Sequence, residues 1–301
     1  MYDSSDPRAA LASSPRQSIA STFAAAEYGR FYESSPTEET AHGRSWYFRG
    51  QNFVLHYMDA AMGAELTRDD QSDEYVVIMP DIDSQITIEA QNKTKKVPGR
   101  HLVVIPPGSS RITVNAAGPV IRLLTMNARD LMSKCSNAQA YHDPHPNIPP
   151  FAPWPVPRDG HEIRAYPLDV PPEPGRFGSI YRCSTFMINI LEPFEGPRDS
   201  TKLSPHFHDD FEQCSLAIEG SFMHYVRWPW TTNLHAWRDD DKEFCGSPSA
   251  TVIPPLAIHT SRAVGDGTNR LIDIFCPPRI DFSQKPGWVL NAKDYPMPSN
   301  E

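Results

Sequence analysis

Two distant stretches, His101 to Val114 (HLVVIPPGSSRITV) and Ser249 to Arg262 (SATVIPPLAIHTSR), share the tetrad VIPP at the end of an apolar run. Upstream of each, an acidic segment leads into another apolar run: RDDQSDEYVVIMPD in the first half and HFHDDFEQCSLAIEG in the second. Such a repeat constrains the fold strongly, because both copies must adopt the same supersecondary unit. That unit is β. WYFR, NFVLHYM, EYVVIMP, QITIEA, HLVVIPP, RITV and VIRLLTM follow one another from Ser45, and the texture resumes with SIYRCSTFMINIL, EQCSLAIEG, SFMHYVRW, SATVIPP and RLIDIFCPP. Short runs punctuated by Gly, Pro, Asn and Asp specify a sandwich or barrel. The expected fold class is all-β, with two barrels in tandem.

Proline locates the boundary. The chain has 31 prolines in 301 residues, and eleven of them lie between Asp143 and Gly175. A stretch this rich in proline cannot sit inside a sheet ladder and reads as an extended, semi-rigid connector. The chain then divides into an N-terminal extension (1–40), a first barrel (41–135), the connector (136–176) and a second barrel with a C-terminal tail (177–301). Within the extension, Ser18 to Tyr32 is weakly helical; the tail, KPGWVLNAKDYPMP, is expected to lie back over a surface.

Charge and cysteines exclude several classes. A net charge of -9 without a basic stripe disfavours nucleic acid. The five cysteines are odd in number and never form C-x-x-C, so neither a disulfide framework nor a zinc ribbon is indicated. A reducing cytoplasm fits. The acidic, proline-containing start does not resemble a signal peptide, and no run of 18 apolar residues suggests a membrane span.

The chemistry concentrates in the second half. His206 and His208 flank Phe207, Glu212 follows four residues after His208, and His259 comes four residues after Pro255. Residues two apart on a strand share a face, so both imidazoles point together, and Glu212 joins them if the strand runs on without a bulge. Gln213 is the substitute ligand if it does not. Three imidazoles and a carboxylate suit a divalent transition metal and leave positions open for water, substrate or dioxygen.

H-x-H-x-x-x-E, an apolar strand to Gly220, then P-P-x-x-x-H resembles the two motifs of the cupin superfamily, over roughly Ile180 to Pro278 and, through the repeat, Trp46 to Met126. The resemblance implies two double-stranded β-helix (cupin, jelly-roll) barrels, a bicupin. Its metal ligands would fall on His206, His208, Glu212 and His259. The glycine usual before the first motif is not clearly placed, and PPLAIH replaces the P-x-G of the second. In the first half only Arg68, Asp69, Asp70, Gln71, Asp73, Glu74 and Tyr75 are available at the first motif, and Arg111 aligns with His259. A guanidinium has no lone pair to give, so that barrel is expected to be metal-free, serving stability or dimerisation.

Between the motifs of the second half lies an insertion rich in tryptophan, including Trp228 and Trp230, suited to closing a pocket over a substrate or to packing between domains. Arg182 and Arg262 are candidates to pair with a substrate carboxylate. The function these residues suggest is a metal-dependent enzyme carrying one ion per chain: Fe(II) favoured, with Mn, Ni or Zn as alternatives. Its expected chemistry is that of a dioxygenase acting on a small organic acid, phenol or diketone, with Glu212 tuning the charge of the site and serving as a base. Isomerase, decarboxylase or lyase chemistry without dioxygen, and a non-catalytic binding protein, are the alternatives. A small-molecule substrate and a homodimer are the partners expected.

Overall fold

Tyr75–Met79 and Ser249–Ile253, two of the strands that the repeat foretells, are buried along their whole length, whereas other strands show period-two burial. In QITIEA, Ile86, Ile88 and Ala90 are buried while the residues between them are not, the pattern of a strand with one face on a core. The computed structural model describes residues 23–231 and 233–298. Its strands are β1 (Glu27–Arg30), β2 (Glu38–Thr40), β3 (Gly43–Arg49), β4 (Phe53–Ala60), β5 (Glu65–Gln71), β6 (Tyr75–Met79) and β7 (Gln85–Ala90). β8 (Lys93–Pro98), β9 (His101–Ile105), β10 (Gly108–Ala116), β11 (Gly118–Thr125), β12 (Arg164–Pro167), β13 (Ser179–Arg182) and β14 (Met187–Ile190) follow. The last are β15 (Phe194–Glu195), β16 (Glu212–Glu219), β17 (Phe222–Arg227), β18 (Asp241–Cys245), β19 (Ser249–Ile253), β20 (Ile258–Ala263) and β21 (Thr268–Cys276). The helices are single turns, so the all-β expectation is met.

The strands form two barrels of two sheets each. In the first, β12-β9-β6-β11-β4-β3-β2 faces β5-β10-β7-β8; in the second, β1-β19-β16-β21-β14-β13 faces β18-β17-β20. The large sheets have one strand order, with β9, β6, β11, β4 and β3 standing where β19, β16, β21, β14 and β13 stand. VIPP ends β9 and β19 and turns the chain into β10 and β20.

Two expectations are corrected here. The described part of the Ser18–Tyr32 stretch is not helical: Glu27–Arg30 is a strand, antiparallel to β19, because that edge offers unpaired N–H and C=O groups to an extended segment. Residues 18–22 lie outside the described residues. The connector also enters a ladder: Arg164–Pro167 pairs with β9, its proline at the end of an edge strand, where the missing N–H is tolerated. The exchange is reciprocal. The segment before the first barrel completes the second, and the segment before the second completes the first.

The barrels meet through the outer faces of their large sheets. Phe48, Leu55, Ile78 and Val104 of the first pack with Leu216, Val252, Ile272 and Ile274 of the second in one apolar cluster, which Tyr141, Ile148 and Leu168 of the connector join. The tail lies back over the second barrel along β13, as expected, and is anchored there: Tyr295 is fully buried and Asn291 clasps both backbone groups of Arg182. All five cysteines are free and buried, three of them (Cys183, Cys214, Cys276) in the inter-barrel cluster. Among the described residues no helix is long and apolar enough to cross a membrane.

Candidate functional site

His206 reaches the second barrel as an isolated bridge. Its backbone exchanges two hydrogen bonds with His259 (3.1 and 2.8 Å), which sets the imidazole centroids 4.5 Å apart. His208 stacks on Phe211 at 4.0 Å and meets the His259 ring edge-on at 5.1 Å. His208 and His259 are buried, whereas His206 is exposed.

Glu212 does not join them. The chain bends at Asp209, Asp210 and Phe211, so period-two parity fails before β16 begins. In the ladder Gln213 pairs with Ile253 and Phe275 and turns inward, while Glu212 turns toward the first barrel. There its carboxylate accepts the backbone N–H groups of Gln51 and Asn52, both at 2.8 Å. Burial pushes the carboxyl up to about 7, against the pull of those two donors. This corrects the expectation of Glu212 as ligand and base: the group is fully buried and bound elsewhere.

Gln213 takes the place beside the imidazoles. Its amide Nε2 donates to Asp273 and to the Ser215 hydroxyl, and its Oε1 lies 3.2 Å from His259 Nε2. His259 Nδ1 lies 2.9 Å from the Ala257 carbonyl, which can only accept, so Nδ1 carries the proton in the neutral ring. Burial holds this imidazole neutral, with its pKa lowered to about 4. His259 Nε2 and Gln213 Oε1 therefore present lone pairs to each other.

The other imidazoles are similarly prepared. His206 Nδ1 bonds to the Ser204 carbonyl and leaves Nε2 as its donor atom. His208, with its pKa pushed well below the usual range by burial and by nearby His259, Arg279 and His206, has no partner on either ring nitrogen. A ring nitrogen freed for a metal by a backbone bond at the other nitrogen, as in His206 and His259, is the arrangement that binds transition metals. As the side chains stand, no three His, Cys, Asp or Glu among the described residues are grouped so as to hold an ion. The donor set nonetheless fits a cation: opposed lone pairs and an orphaned buried imidazole are relieved by a positive charge.

Two more residues lie on the inner face: His224, which its place outside the motif marks as a satisfied or exposed histidine, and Asp273, which escaped the sequence reading. His224 on β17 lies opposite Ser261, to which its Nδ1 bonds at 2.8 Å, and burial lowers its pKa to about 3. The signal was the alternation Phe222, His224, Val226. Asp273 on β21 accepts from Ser215 (2.7 Å) and Gln213, and burial raises its pKa. An acid inside the apolar run RLIDIF marked it.

The structure does not bring the remaining candidates to the imidazoles. Arg182 is engaged by the tail through the Tyr295 carbonyl and lies over Trp154, because its strand end abuts residues 291–295. Arg262 has the opposite parity to His259 and donates to the Arg198 carbonyl. Trp228 is buried with Phe23, Val226 and Ile253 and is core. Trp230 is 71% exposed and stacks on Trp237 at 4.4 Å, beside an open cleft of about 680 Å³ that also reaches Ile258. In the first barrel a bulge between Gly108 and Ser110 turns Arg111 outward toward Glu65. Ser110 faces inward in its stead and bonds Tyr75, which occupies the place of Gln213.

No family model matches the sequence, and no curated protein matches it. Solved structures do. AerE from Microcystis aeruginosa is 11% identical with a TM-score of 0.55, over 86% of this chain and all of that one. A Lactobacillus farciminis oxalate decarboxylase, solved as a formate complex, is 13% identical with a TM-score of 0.56, over 86% of this chain and 89% of that one. A Bacillus subtilis oxalate decarboxylase variant is 12% identical with a TM-score of 0.57, over 88% of this chain and 82% of that one. Identities this low speak to architecture alone. Two barrels of one strand order, matched along nearly their whole length by these structures, give this chain the cupin fold in its two-barrel, bicupin form.

Proposed function

We propose that the protein is a metal-dependent enzyme with one active centre in the second barrel, acting on a small organic acid, phenol or diketone bound as an anion. The observation that carries this reading is the 3.2 Å approach of two lone-pair atoms, His259 Nε2 and Gln213 Oε1, beside a buried imidazole with no partner. His206, His208, Gln213 and His259 would hold the ion, Fe(II) or Mn(II) ahead of Ni or Zn. When bound, such an ion supplies Lewis acidity and adjacent open positions for a chelating substrate and dioxygen.

Three imidazoles and an amide bring no anionic ligand to the ion, so the substrate's own charge must balance it, which favours an acid or an enolate. Phe211 and Phe275, in edge contact at 5.2 Å, keep the His208 side dry. Asp273 and Ser215 fix the Gln213 amide so that its oxygen points inward. In the leading reading the reaction consumes dioxygen. The second reading, decarboxylation or another non-oxidative step, is favoured by Asp273, an acid placed beside Gln213 on the inner face whose pKa burial raises above the ordinary aspartate value. The similarity to oxalate decarboxylases points the same way.

Elemental analysis with an oxygen electrode tests the proposal. One transition-metal ion per chain, lost in His206→Ala/His259→Ala, is expected, together with oxygen uptake on a screen of small acids and diketones. Turnover of an acid without oxygen uptake selects the second reading. Metal-loaded protein that turns over nothing would sink both.

A further inference from the structure

The turn after VIPP passes through a positive φ in both barrels, on a different residue in each. In the first, Gly108 follows Pro106 and Pro107 with φ +104°; in the second, Leu256 follows Pro254 and Pro255 with φ +71°. Glycine adopts such a conformation freely, whereas leucine is strained in it. A Cβ at Gly108 would meet nothing within 4 Å, so a side chain there would gain no contact. Leu256 does gain one. It is half-buried against the cluster of Phe23, which precedes β1, Trp228 of the insertion, Val226, Ile253 and Ala257.

Two residues of the candidate metal centre hang on this turn. The Leu256 N–H donates to the His208 carbonyl at 2.6 Å, and the Ala257 carbonyl holds His259 Nδ1 at 2.9 Å. His208 depends most on such a tether, because it lies outside any strand and its ring rests on Phe211 without a hydrogen bond. Backbone strain persists where the surroundings over-determine it. Here they comprise the Phe23 and Trp228 cluster on one side and two imidazole-bearing residues on the other.

We propose that Leu256 is a positioning residue of the metal centre. Its side chain seats the turn on the Phe23 and Trp228 cluster, and the seated turn fixes the spacing of His208 and His259, whose ring centroids lie 5.1 Å apart. The inference rests on the reading of those histidines as metal ligands. It gives the tryptophan insertion a task at the metal centre that requires no contact with substrate.

Cu(II) is the probe, added to the chelator-stripped full chain and followed by electron paramagnetic resonance and by competition with a chelator. Leu256→Gly relieves the backbone strain and removes only the anchor. We expect it to shift the copper hyperfine pattern and to weaken binding roughly 10–100-fold, the usual cost of losing a group that orients a ligand. Leu256→Met retains an apolar anchor and should keep the wild-type spectrum and affinity. A Leu256→Gly protein indistinguishable from wild type, or a Leu256→Met protein that behaves like Leu256→Gly, overturns the inference and leaves the metal reading standing. Wild-type protein without imidazole-bound copper overturns both. Should Leu256→Gly fail to fold, Phe23→Ala decides: a shifted spectrum with weaker binding supports the assignment, and an unchanged one overturns it.

Discussion

Glu212 and Gln213 are sequence neighbours that face opposite ways, one toward Gln51 and Asn52 of the other barrel and one toward His259. The two side chains therefore separate by substitution. In Glu212→Gln the new NH2 group meets an N–H donor where an oxygen accepted one, an uncompensated loss of roughly 1–3 kcal/mol. We expect chemical denaturation to show that loss while the metal content of the purified protein is unchanged. Gln213→Ala should do the reverse, lowering metal retention on dialysis against a chelator with a smaller effect on stability. The histidines were legible in the sequence because H-x-H needs only local strand parity. Which acid or amide follows them was not, because the answer depends on bends at residues 209–211 that no pattern of hydrophobicity encodes. Arg111 misled for a related reason, since the bulge at Gly108–Ser110 shifts parity by one.

Among the elements, β1 and β12 show how far periodicity reaches. VIPP announced β9, β10, β19 and β20 because buried strands must be apolar, whereas EYGR and RAYP are short, polar or proline-bearing and acquire their conformation from the edge they join. Partner edges are tertiary information. β1 is secured on the second barrel by Tyr28 to Asp241 (2.8 Å), Arg30 to Glu243 (2.6 Å) and the Arg238 bond to the Phe23 carbonyl. Deleting residues 1–32 strips these contacts and leaves β19 as an open edge. The truncated protein should melt several degrees lower, and size-exclusion chromatography should show concentration-dependent self-association as the bare edge finds another strand. A monomer that melts as the full chain does would show that β1 contributes nothing.

Across the whole molecule the barrels trade like for like. Each lends an arm to the other's large sheet, and each sends a buried glutamate into a hairpin of the other. Glu212 goes to Gln51 and Asn52, and Glu74 goes to the backbone and hydroxyl of Ser184. With the shared apolar cluster between them, each barrel exposes part of its buried apolar surface when the other opens, although the interior of the first has a cluster of its own. Calorimetry should therefore give a single cooperative transition. Leu216→Ala, which truncates the seam from the second barrel, should cost about 2–5 kcal/mol and lower hydrogen-exchange protection in β4 and β11 of the first as well. Two resolved transitions would contradict this coupling.

The buried thiols give that seam a chemical record. A thiol sealed from solvent reacts with an alkylating reagent only when its surroundings open, and burial also keeps these groups from ionising. Cys135 lies in the core of the first barrel, Cys245 in the smaller sheet of the second, and Cys183, Cys214 and Cys276 between the two. The order in which the five are labelled is thus a clock written into the chain, reporting whether the barrels part before either one unravels.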